Sequence, residues 1–182
     1  MFEDRRARRQ ANHAFDAGEG VTRYQMQQKM FSIGDDYWID DEAGEHAYKV
    51  NGKALRLRHT YAIEEPDGRR VAKVQSRPLR IKDSMEIEDA DGNRIALVKK
   101  ALISPLRERW TIKQEDGGEL SVQGNIVDHE YTIEQDGIKV AEVSKKWFRM
   151  RDTYGLDVSD AVDKATIVAA AIAIDSMAHP AK

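Results

Sequence analysis

A repeated hairpin pattern occupies most of the chain and restricts the folds that it can adopt. Five segments each begin with an aromatic residue or methionine, one further residue and an isoleucine, and continue into an acidic turn with glycine. The shared isoleucines are separated by 24, 24, 25 and 21 residues, and they are Ile39, Ile63, Ile87, Ile112 and Ile133. A period in this range marks a repeated supersecondary unit.

Each copy of the repeat is typical of a β-hairpin. The apolar residues alternate with polar ones, and Asp-Gly pairs such as Asp67-Gly68 and Asp91-Gly92 supply the positive φ that tight turns require. The chain alternates again between the copies, as in "LRLRHTYAI" and "LRIKDSMEI". With "RYQMQQK" at the start of the pattern, these segments predict about 12 strands.

One segment near the C-terminus differs from the rest because it is almost wholly apolar. Residues Ala165–Ile174 are too few to cross a bilayer, which requires about 20 apolar residues. Asp160 or Asp163 can cap the start of this segment and Pro180 can end it, so we predict a helix at about 160–178. Apolar residues cover every face of such a helix, which must therefore be surrounded by protein.

The hairpins and the apolar helix together predict one architecture. Many short antiparallel strands lose their exposed edges when they close into a barrel. A barrel of about 12 strands is too wide for its own side chains to fill, whereas a helix is roughly 10 Å across. We therefore predict an all-β fold, a closed antiparallel barrel of about 12 strands that encloses the hydrophobic C-terminal helix.

Length and charge restrict the domain organisation and the partners. A chain of 182 residues is expected to form one barrel domain over residues 21–182, after a polar, partly disordered or helical tail over residues 1–20. The 29 Lys and Arg residues are balanced by 32 Asp and Glu residues, which argues against a nucleic-acid partner. The tail has four arginines and no apolar stretch, so we expect either a solvated tail or a basic arm, and not a secretory signal.

The order of these elements resembles the tubby C-terminal-like fold, and the sequence is similar to its LURP-one-related family. The resemblance covers Thr22 to about Met177 and is carried by "YQMQQKMFSIGDDYWIDDEAGEHAYKVNGKALRLR", "DTYGLDV" and "ATIVAAAIAID". Phospholipid scramblases are more distant relatives, and tubby proteins bind phosphoinositides at a basic surface. The resemblance therefore implies a non-enzymatic module that binds lipid or another anion. No head-group motif of tubby is matched, so no binding residue is transferred.

Strand alternation predicts a set of cations on the outer face of the barrel. Matching positions on adjacent strands, about 4.8 Å apart, would form a basic surface for phosphate-bearing head groups. The predicted positions are Arg56, Arg58, Arg80, Lys82, Arg107, Arg109, Arg149 and Arg151. The strand "IVDHEYTI" breaks the pattern with Ile126 and Asp128. The alternative is a solvated face whose cations pair with nearby carboxylates such as Glu86 and Glu88.

A second set of polar residues falls on the inward face under strict alternation. Its members precede the shared apolar positions by four residues, and they are His59, Asp83, Glu108, His129 and Asp152. An unpaired charge inside the barrel would be costly, so these residues would have to form a paired polar ring at one end. The alternative is a bend, a bulge or a later strand start that changes the register.

The sequence has no recognisable catalytic, cofactor or metal motif. The five histidines lack the close spacing of a metal site, and no nucleophile elbow or phosphate-binding glycine loop is present. In "EDADGNR" the glycine comes too early for a calcium loop. We therefore expect no enzyme, no cofactor and no metal. Trp38 and Trp110 are expected in the core, and Trp147 either anchors at a membrane interface or packs at the barrel rim.

The expected function is that of a binding module for anionic phospholipid head groups or other phosphate-bearing ligands. The absence of cysteine fits a cytoplasmic location, peripheral to a membrane if the ligand is a lipid. One alternative is a regulatory scaffold that binds a protein partner without lipid. Another is a carrier that holds a small ligand in a cavity beside the central helix. The sequence does not determine the oligomeric state.

Overall fold

The structure, a computed structural model, describes residues 2–27, 36–51, 60–77, 84–104, 107–148 and 152–180. Two helices flank twelve strands in the described ranges. The helices are α1 (Phe2–Asp16) and α2 (Lys164–Ala178). The strands are β1 (Val21–Gln27), β2 (Tyr37–Asp41), β3 (His46–Asn51), β4 (Thr60–Glu64), β5 (Arg70–Ser76), β6 (Ser84–Asp89), β7 (Arg94–Ser104), β8 (Arg107–Gln114), β9 (Glu119–Asn125), β10 (Glu130–Gln135), β11 (Ile138–Ser144) and β12 (Thr153–Ser159).

The twelve strands form a closed antiparallel barrel in which each strand pairs with its neighbours in sequence. The barrel closes where β1 pairs with β12, in a register that runs from Val21 opposite Ser159 to Gln27 opposite Thr153. Closure leaves no exposed sheet edge, which removes a common route to aggregation. The predicted fold class and the predicted strand number are confirmed.

An acidic residue that precedes the glycine stabilises the hairpin turns. In the β2–β3 turn the carboxylate of Asp41 accepts hydrogen bonds from the backbone N–H groups of Ala43 and Glu45. Asp89 does the same in the β6–β7 turn, and Gly92 there has a φ of 86°. These bonds hold the turn within the sequence of the repeat, so each hairpin is specified locally.

The core of the barrel consists of the inward side chains of the strands. All five repeated isoleucines are fully buried, and Trp110 is buried beside them as predicted. The prediction for Trp38 is wrong, because its neighbours Tyr37 and Ile39 face the core and alternation directs Trp38 outward. Its ring stacks on the ring of His46, with centroids 4.2 Å apart.

Helix α2 occupies the interior of the barrel. Its N-cap is Asp163, whose carboxylate accepts a hydrogen bond from the backbone N–H of Thr166 at 2.8 Å. Ten consecutive residues, Ile167–Ser176, are buried, so every face of the helix is covered. It contacts strands on different sides of the barrel, namely β5, β6, β7 and β12. The predicted central helix is confirmed.

Helix α1 packs on the outside of the barrel against β11. Phe15 is buried in this contact. The side chain of Asn12 donates a hydrogen bond to the carbonyl oxygen of Gly137 and accepts one from the backbone N–H of Lys139. The tail expected over residues 1–20 thus forms a docked helix. Among the described residues, no helix has the length and apolarity needed to cross a membrane.

A pair of isoleucine substitutions tests whether α2 fills the interior. Ile172 in α2 is fully buried, whereas Ile138 at the start of β11 is 37% exposed. Ile172→Ala should lower the free energy of unfolding by about 2–5 kcal/mol, because the cavity cannot collapse inside a closed barrel. Urea denaturation measures the effect, and Ile138→Ala is the matched control with a loss below about 1 kcal/mol. Equal losses in both variants would contradict a helix at the centre of the core.

Candidate functional site

A buried carboxylate lies at the C-terminal end of the otherwise apolar helix α2. Asp175 is 3% exposed, and both of its oxygens accept hydrogen bonds. Its Oδ1 lies 2.7 Å from Nε2 of His129 and 2.8 Å from Nδ1 of His179. Its Oδ2 accepts a hydrogen bond from the hydroxyl of Tyr154 at 3.1 Å. We call these four residues the polar cluster.

His129 enters the polar cluster from the turn between β9 and β10. Its backbone has a φ of 57°, and its side chain is almost completely buried. Its ring stacks on the rings of Tyr154 and His179, with centroids 4.3 and 4.8 Å away. Nε2 donates to Asp175, while Nδ1 is buried and has no hydrogen-bond partner among the described residues.

His179 follows the last turn of α2 and bridges the helix to the same turn. Its Nδ1 faces Asp175, and its Nε2 donates to the carbonyl oxygen of Val127 at 2.9 Å. Both partners are acceptors, so His179 satisfies them together as the imidazolium cation. The hydrogen bond to Asp175 accordingly raises the pKa of His179. Burial alone would raise the pKa of Asp175, but hydrogen bonds from the two histidines outweigh it and lower that pKa.

Tyrosines of the hairpin repeat surround the polar cluster. Tyr37, Tyr61 and Tyr131 lie at the first or second position of β2, β4 and β10, as Tyr154 of the cluster does in β12. Burial together with the negative charge of Asp175 raises the pKa of all four hydroxyls. The hydroxyl of Tyr61 lies 3.2 Å from Oγ of Ser176. The hydroxyl of Tyr37 is buried without a hydrogen-bond partner among the described residues. One end of the barrel interior is therefore polar.

A cavity lies outside the barrel, beneath helix α1. It has a volume of about 280 Å³, and its apolar lining includes Phe15 and Trp147. The charged residues of its lining pair with one another. The pairs are Arg23 with Asp157, Lys139 with Asp16 and Glu142, and Lys146 with Glu142. Because these charges already have partners, they form a structural network between α1, β1, β11 and β12.

The comparisons with known proteins agree with this architecture. The sequence profile described as LURP-one-related matches residues 22–175, which is most of the chain. The chain belongs to the LURP-one-related family. No curated protein matches the sequence.

A solved structure of an Arabidopsis thaliana protein resembles this LURP-one-related chain. The two share 15% sequence identity with a TM-score of 0.66, and the match covers 87% of this chain and 92% of the other. At this identity the likeness concerns the fold alone. The match to the LURP-one-related profile confirms the family expected from the hairpin order and the terminal helix.

The structure separates the members of the predicted interior ring in this LURP-one-related barrel. His59 and Asp83 lie outside the described residues, and for Glu108 in β8 the backbone is described without the side chain. His129 faces the interior, as the polar cluster shows, whereas Asp152 is exposed with a φ of 65°. Both of these residues come directly before a strand, so strict alternation does not extend through either position.

Most of the predicted outer cations lie outside the described residues. These are Arg56, Arg58, Arg80, Lys82, Arg149 and Arg151. Arg107 begins β8, and its backbone is described without its side chain. Arg109 is 62% exposed, and its guanidinium lies 3.9 Å from the carboxylate of Glu119.

Cations on the described part of the outer face pair with carboxylates. Lys73 lies 2.6 Å from Glu88, and Arg77 lies 3.0 Å from Glu86. Arg94 lies 2.5 Å from Glu115, near the opposite end of the strands. These contacts match the alternative in which strand cations pair with neighbouring carboxylates.

Trp147 packs at the rim of the barrel in this family member. Its ring lies against Gly155 of β12, where an added Cβ would come within 2.4 Å of the ring. The guanidinium of Arg23 lies 4.4 Å from the ring centroid, and Nζ of Lys146 lies 4.7 Å from it. The glycine of "DTYGLDV" therefore makes room for a tryptophan that is held by cation–π contacts.

The sequence analysis missed Asp175, Ser176 and His179 as site residues. Asp175 and His179 are four residues apart at the end of a helix, a spacing that places both side chains on one face. The sequence did contain a signal for this site. The helix was predicted to be buried on every side, and an ionisable pair lies at its end. Their contact with His129 could not be read from spacing, because it depends on the closed barrel.

Two tyrosine-to-phenylalanine substitutions test the hydrogen bonds around Asp175. Tyr154→Phe removes a bond to a buried carboxylate and should lower the free energy of unfolding by about 1.5–3 kcal/mol. Tyr37→Phe removes a buried hydroxyl without a described partner, so it should be neutral or slightly stabilising. Urea denaturation compares the two variants. A loss in Tyr37→Phe as large as that in Tyr154→Phe would show that the Tyr37 hydroxyl is bonded, for example to a buried water.

The network beneath α1 predicts a pH dependence of stability. Burial alone would raise the pKa of Glu142, but hydrogen bonds from Lys146 and Lys139 lower it below its ordinary value of 4.5. The carboxylate therefore stabilises the fold above pH 4.5, and this contribution is lost as the pH falls through the lower pKa of the folded state.

Glu142→Gln should remove that contribution. The variant should be about 1 kcal/mol less stable than the parent at neutral pH, and its stability should fall less steeply on acidification. Thermal denaturation as a function of pH measures both effects. Glu45→Gln, at an exposed hairpin turn, is the control and should follow the parent at every pH. Parallel pH profiles for Glu142→Gln and the parent would show that Glu142 carries no such linkage.

Proposed function

We propose that this chain is a non-enzymatic binding module that recognises phosphate-bearing head groups of anionic lipids. Its basic barrel end would face the membrane. The proposal rests on one observation, the unequal distribution of charge between the connections at the two barrel ends. Membership of the LURP-one-related family and the closed barrel fit a binding module, and the lipid ligand is the further step.

The hairpin turns at one barrel end are acidic. In an antiparallel barrel with sequential neighbours, successive connections alternate between the two ends, so the five hairpin turns belong to the same end. They contain eight Asp and Glu residues and one Arg, in segments 42–45, 65–69, 90–93, 115–118 and 136–137. This end would be repelled by an anionic membrane.

The remaining six connections join strand ends at the opposite end of the barrel, and taken together they are basic because of segments 52–59, 77–83 and 145–152. They contain eleven Lys and Arg residues and five Asp and Glu residues, in segments 28–36, 52–59, 77–83, 105–106, 126–129 and 145–152. Six of the eight predicted outer cations belong to these segments. A cation near an anionic lipid surface contributes about 1 kcal/mol, so several of them acting together give useful affinity.

The charge asymmetry also supports an orientation. The overall charge of −3 would not attract the chain to an anionic surface. A chain with one acidic and one basic end is still attracted to an anionic membrane when its basic end faces the membrane. Salt screens electrostatic interactions beyond about 10 Å, so the membrane repels the distant acidic end only weakly. Binding through the basic end should therefore weaken as the salt concentration rises.

Charge neutralisation at the two barrel ends tests the proposal. The basic-end variant combines Arg56→Gln, Arg58→Gln, Arg80→Gln and Lys82→Gln. The control combines Arg69→Gln, Arg70→Gln, Arg94→Gln and Lys113→Gln at the hairpin-turn end, with the same change in net charge. Co-sedimentation with phosphatidylcholine vesicles, with or without phosphatidylserine or a phosphoinositide, measures binding.

The parent and the control should sediment with the anionic vesicles, and the basic-end variant should bind at least about tenfold more weakly. Neutral vesicles should bind none of the three proteins. Equal binding by the basic-end variant and the parent would contradict the proposal. Failure of the parent to bind anionic vesicles would favour the alternative, a scaffold for a protein partner.

A further inference from the structure

We propose that His129, Asp175 and His179 form a binding site for Zn²⁺ or a similar divalent transition metal. This site lies inside the polar end of the barrel and is independent of the proposed lipid surface. It was not expected from the sequence, because the two histidines are far apart in the chain. The closed barrel and its central helix bring them together.

Three atoms of suitable chemistry converge at this position. One ligand atom from each of the three residues lies within 4.8 Å of the other two. Two imidazole nitrogens and one carboxylate oxygen are a common ligand set of zinc sites that leave a fourth position for water or another ligand. Two nitrogens out of three ligands favour Zn²⁺, Co²⁺ or Ni²⁺ over Mg²⁺ and Ca²⁺, which prefer oxygen.

Two of the three ligand residues have a second polar atom that is already hydrogen-bonded to the protein. Nε2 of His179 donates to the carbonyl oxygen of Val127, and Oδ2 of Asp175 accepts from Tyr154. Such outer hydrogen bonds fix the orientation of ligands in metal sites, and a histidine bond to a backbone carbonyl is typical. Nε2 of His129 and Nδ1 of His179 both face Oδ1 of Asp175.

In the present structure, hydrogen bonds connect the three residues of the site. Oδ1 of Asp175 receives N–H bonds of 2.7 and 2.8 Å from the two imidazoles. A metal with bonds of about 2.0–2.2 Å to each ligand would replace these protons and move the ligand atoms slightly apart. Metal binding would therefore displace the proton that Nδ1 of His179 shares with Asp175.

Access to the site and adjustment of its geometry both depend on His179. His129 and Asp175 are buried, whereas the side chain of His179 is 33% exposed. The two imidazole rings are parallel within 3°, so one ring must tilt before both nitrogens can bind a single ion in their own planes. His179 follows the last helical residue and is the more exposed of the two histidines, so its ring would be the one to tilt, with a change in its bond to Val127.

Titration with Zn²⁺ tests the site directly. The full chain is treated with EDTA, freed from the chelator and titrated in a calorimeter with Zn²⁺ or Mg²⁺. We expect one strong Zn²⁺ site per chain, release of protons on binding, and no comparable Mg²⁺ site. His179→Ala, at the exposed end of the cluster, should weaken Zn²⁺ binding by at least about tenfold.

His46→Ala is the matched control. His46 lies 2.7 Å from Asp40 on the outer face, so it forms a histidine–carboxylate pair to which the described part of the chain adds no second histidine. Zn²⁺ binding should be unchanged in this variant. Equal Zn²⁺ affinities for the parent and His179→Ala would overturn the proposal, as would the lack of a strong Zn²⁺ site in the parent.

Co²⁺ provides a second measurement that does not depend on calorimetry. A Co²⁺ ion with two imidazoles, a carboxylate and one further ligand should give visible absorption bands typical of a tetrahedral site. Zn²⁺ should also raise the melting temperature of the parent and of His46→Ala, because it binds the folded state. Both signals should be lost in His179→Ala, whose fold is checked by its cooperative melting without metal. A parent that gives neither signal would contradict the site.

Discussion

The packing of one apolar helix inside a twelve-stranded barrel is the interaction on which the rest of the fold depends. Strands alone leave too wide an interior, and α2 fills it with alanines and isoleucines that belong to the same buried cluster as the isoleucines of all five hairpins. The helix also follows the strand that closes the barrel. Asp160, between β12 and α2, bonds to Gly20 and Thr22 at the start of β1. Barrel closure and helix burial are therefore coupled.

The same helix brings a carboxylate into a region where an unpaired charge would be strongly unfavourable. Asp175 is tolerated because two histidines and one tyrosine donate to it, and further tyrosines of the hairpin repeat surround it. The first position of the repeat thus has two uses. Met85 and Trp110 pack as apolar residues, whereas the tyrosines combine packing with a polar environment for the end of the helix. A repeat that is uniform in sequence therefore encloses an interior that is not uniform in polarity.

Local patterns predicted the barrel and the helix because the information for both is local. Period-2 alternation, Asp-Gly turns and an apolar stretch without a polar face each specify an element within a few residues. Two kinds of feature were not predictable in this way. Positive φ at His129 and Asp152 interrupts the alternation immediately before a strand, and these two residues then face in opposite directions. The contact of His129 with Asp175 depends on closure of the whole barrel.

The turn between β9 and β10 explains why one strand lacked the cations of the others. Its sequence has Asp128 where matching positions have Arg or Lys. Asp128 accepts a hydrogen bond from the side chain of Asn125 and donates its backbone N–H to the same side chain, which stabilises the tight turn. That turn presents the carbonyl of Val127 to His179 and directs His129 inward to Asp175. At this one connection of the basic end, the chain is adapted to hold the central helix, and an outward cation there would not serve that purpose.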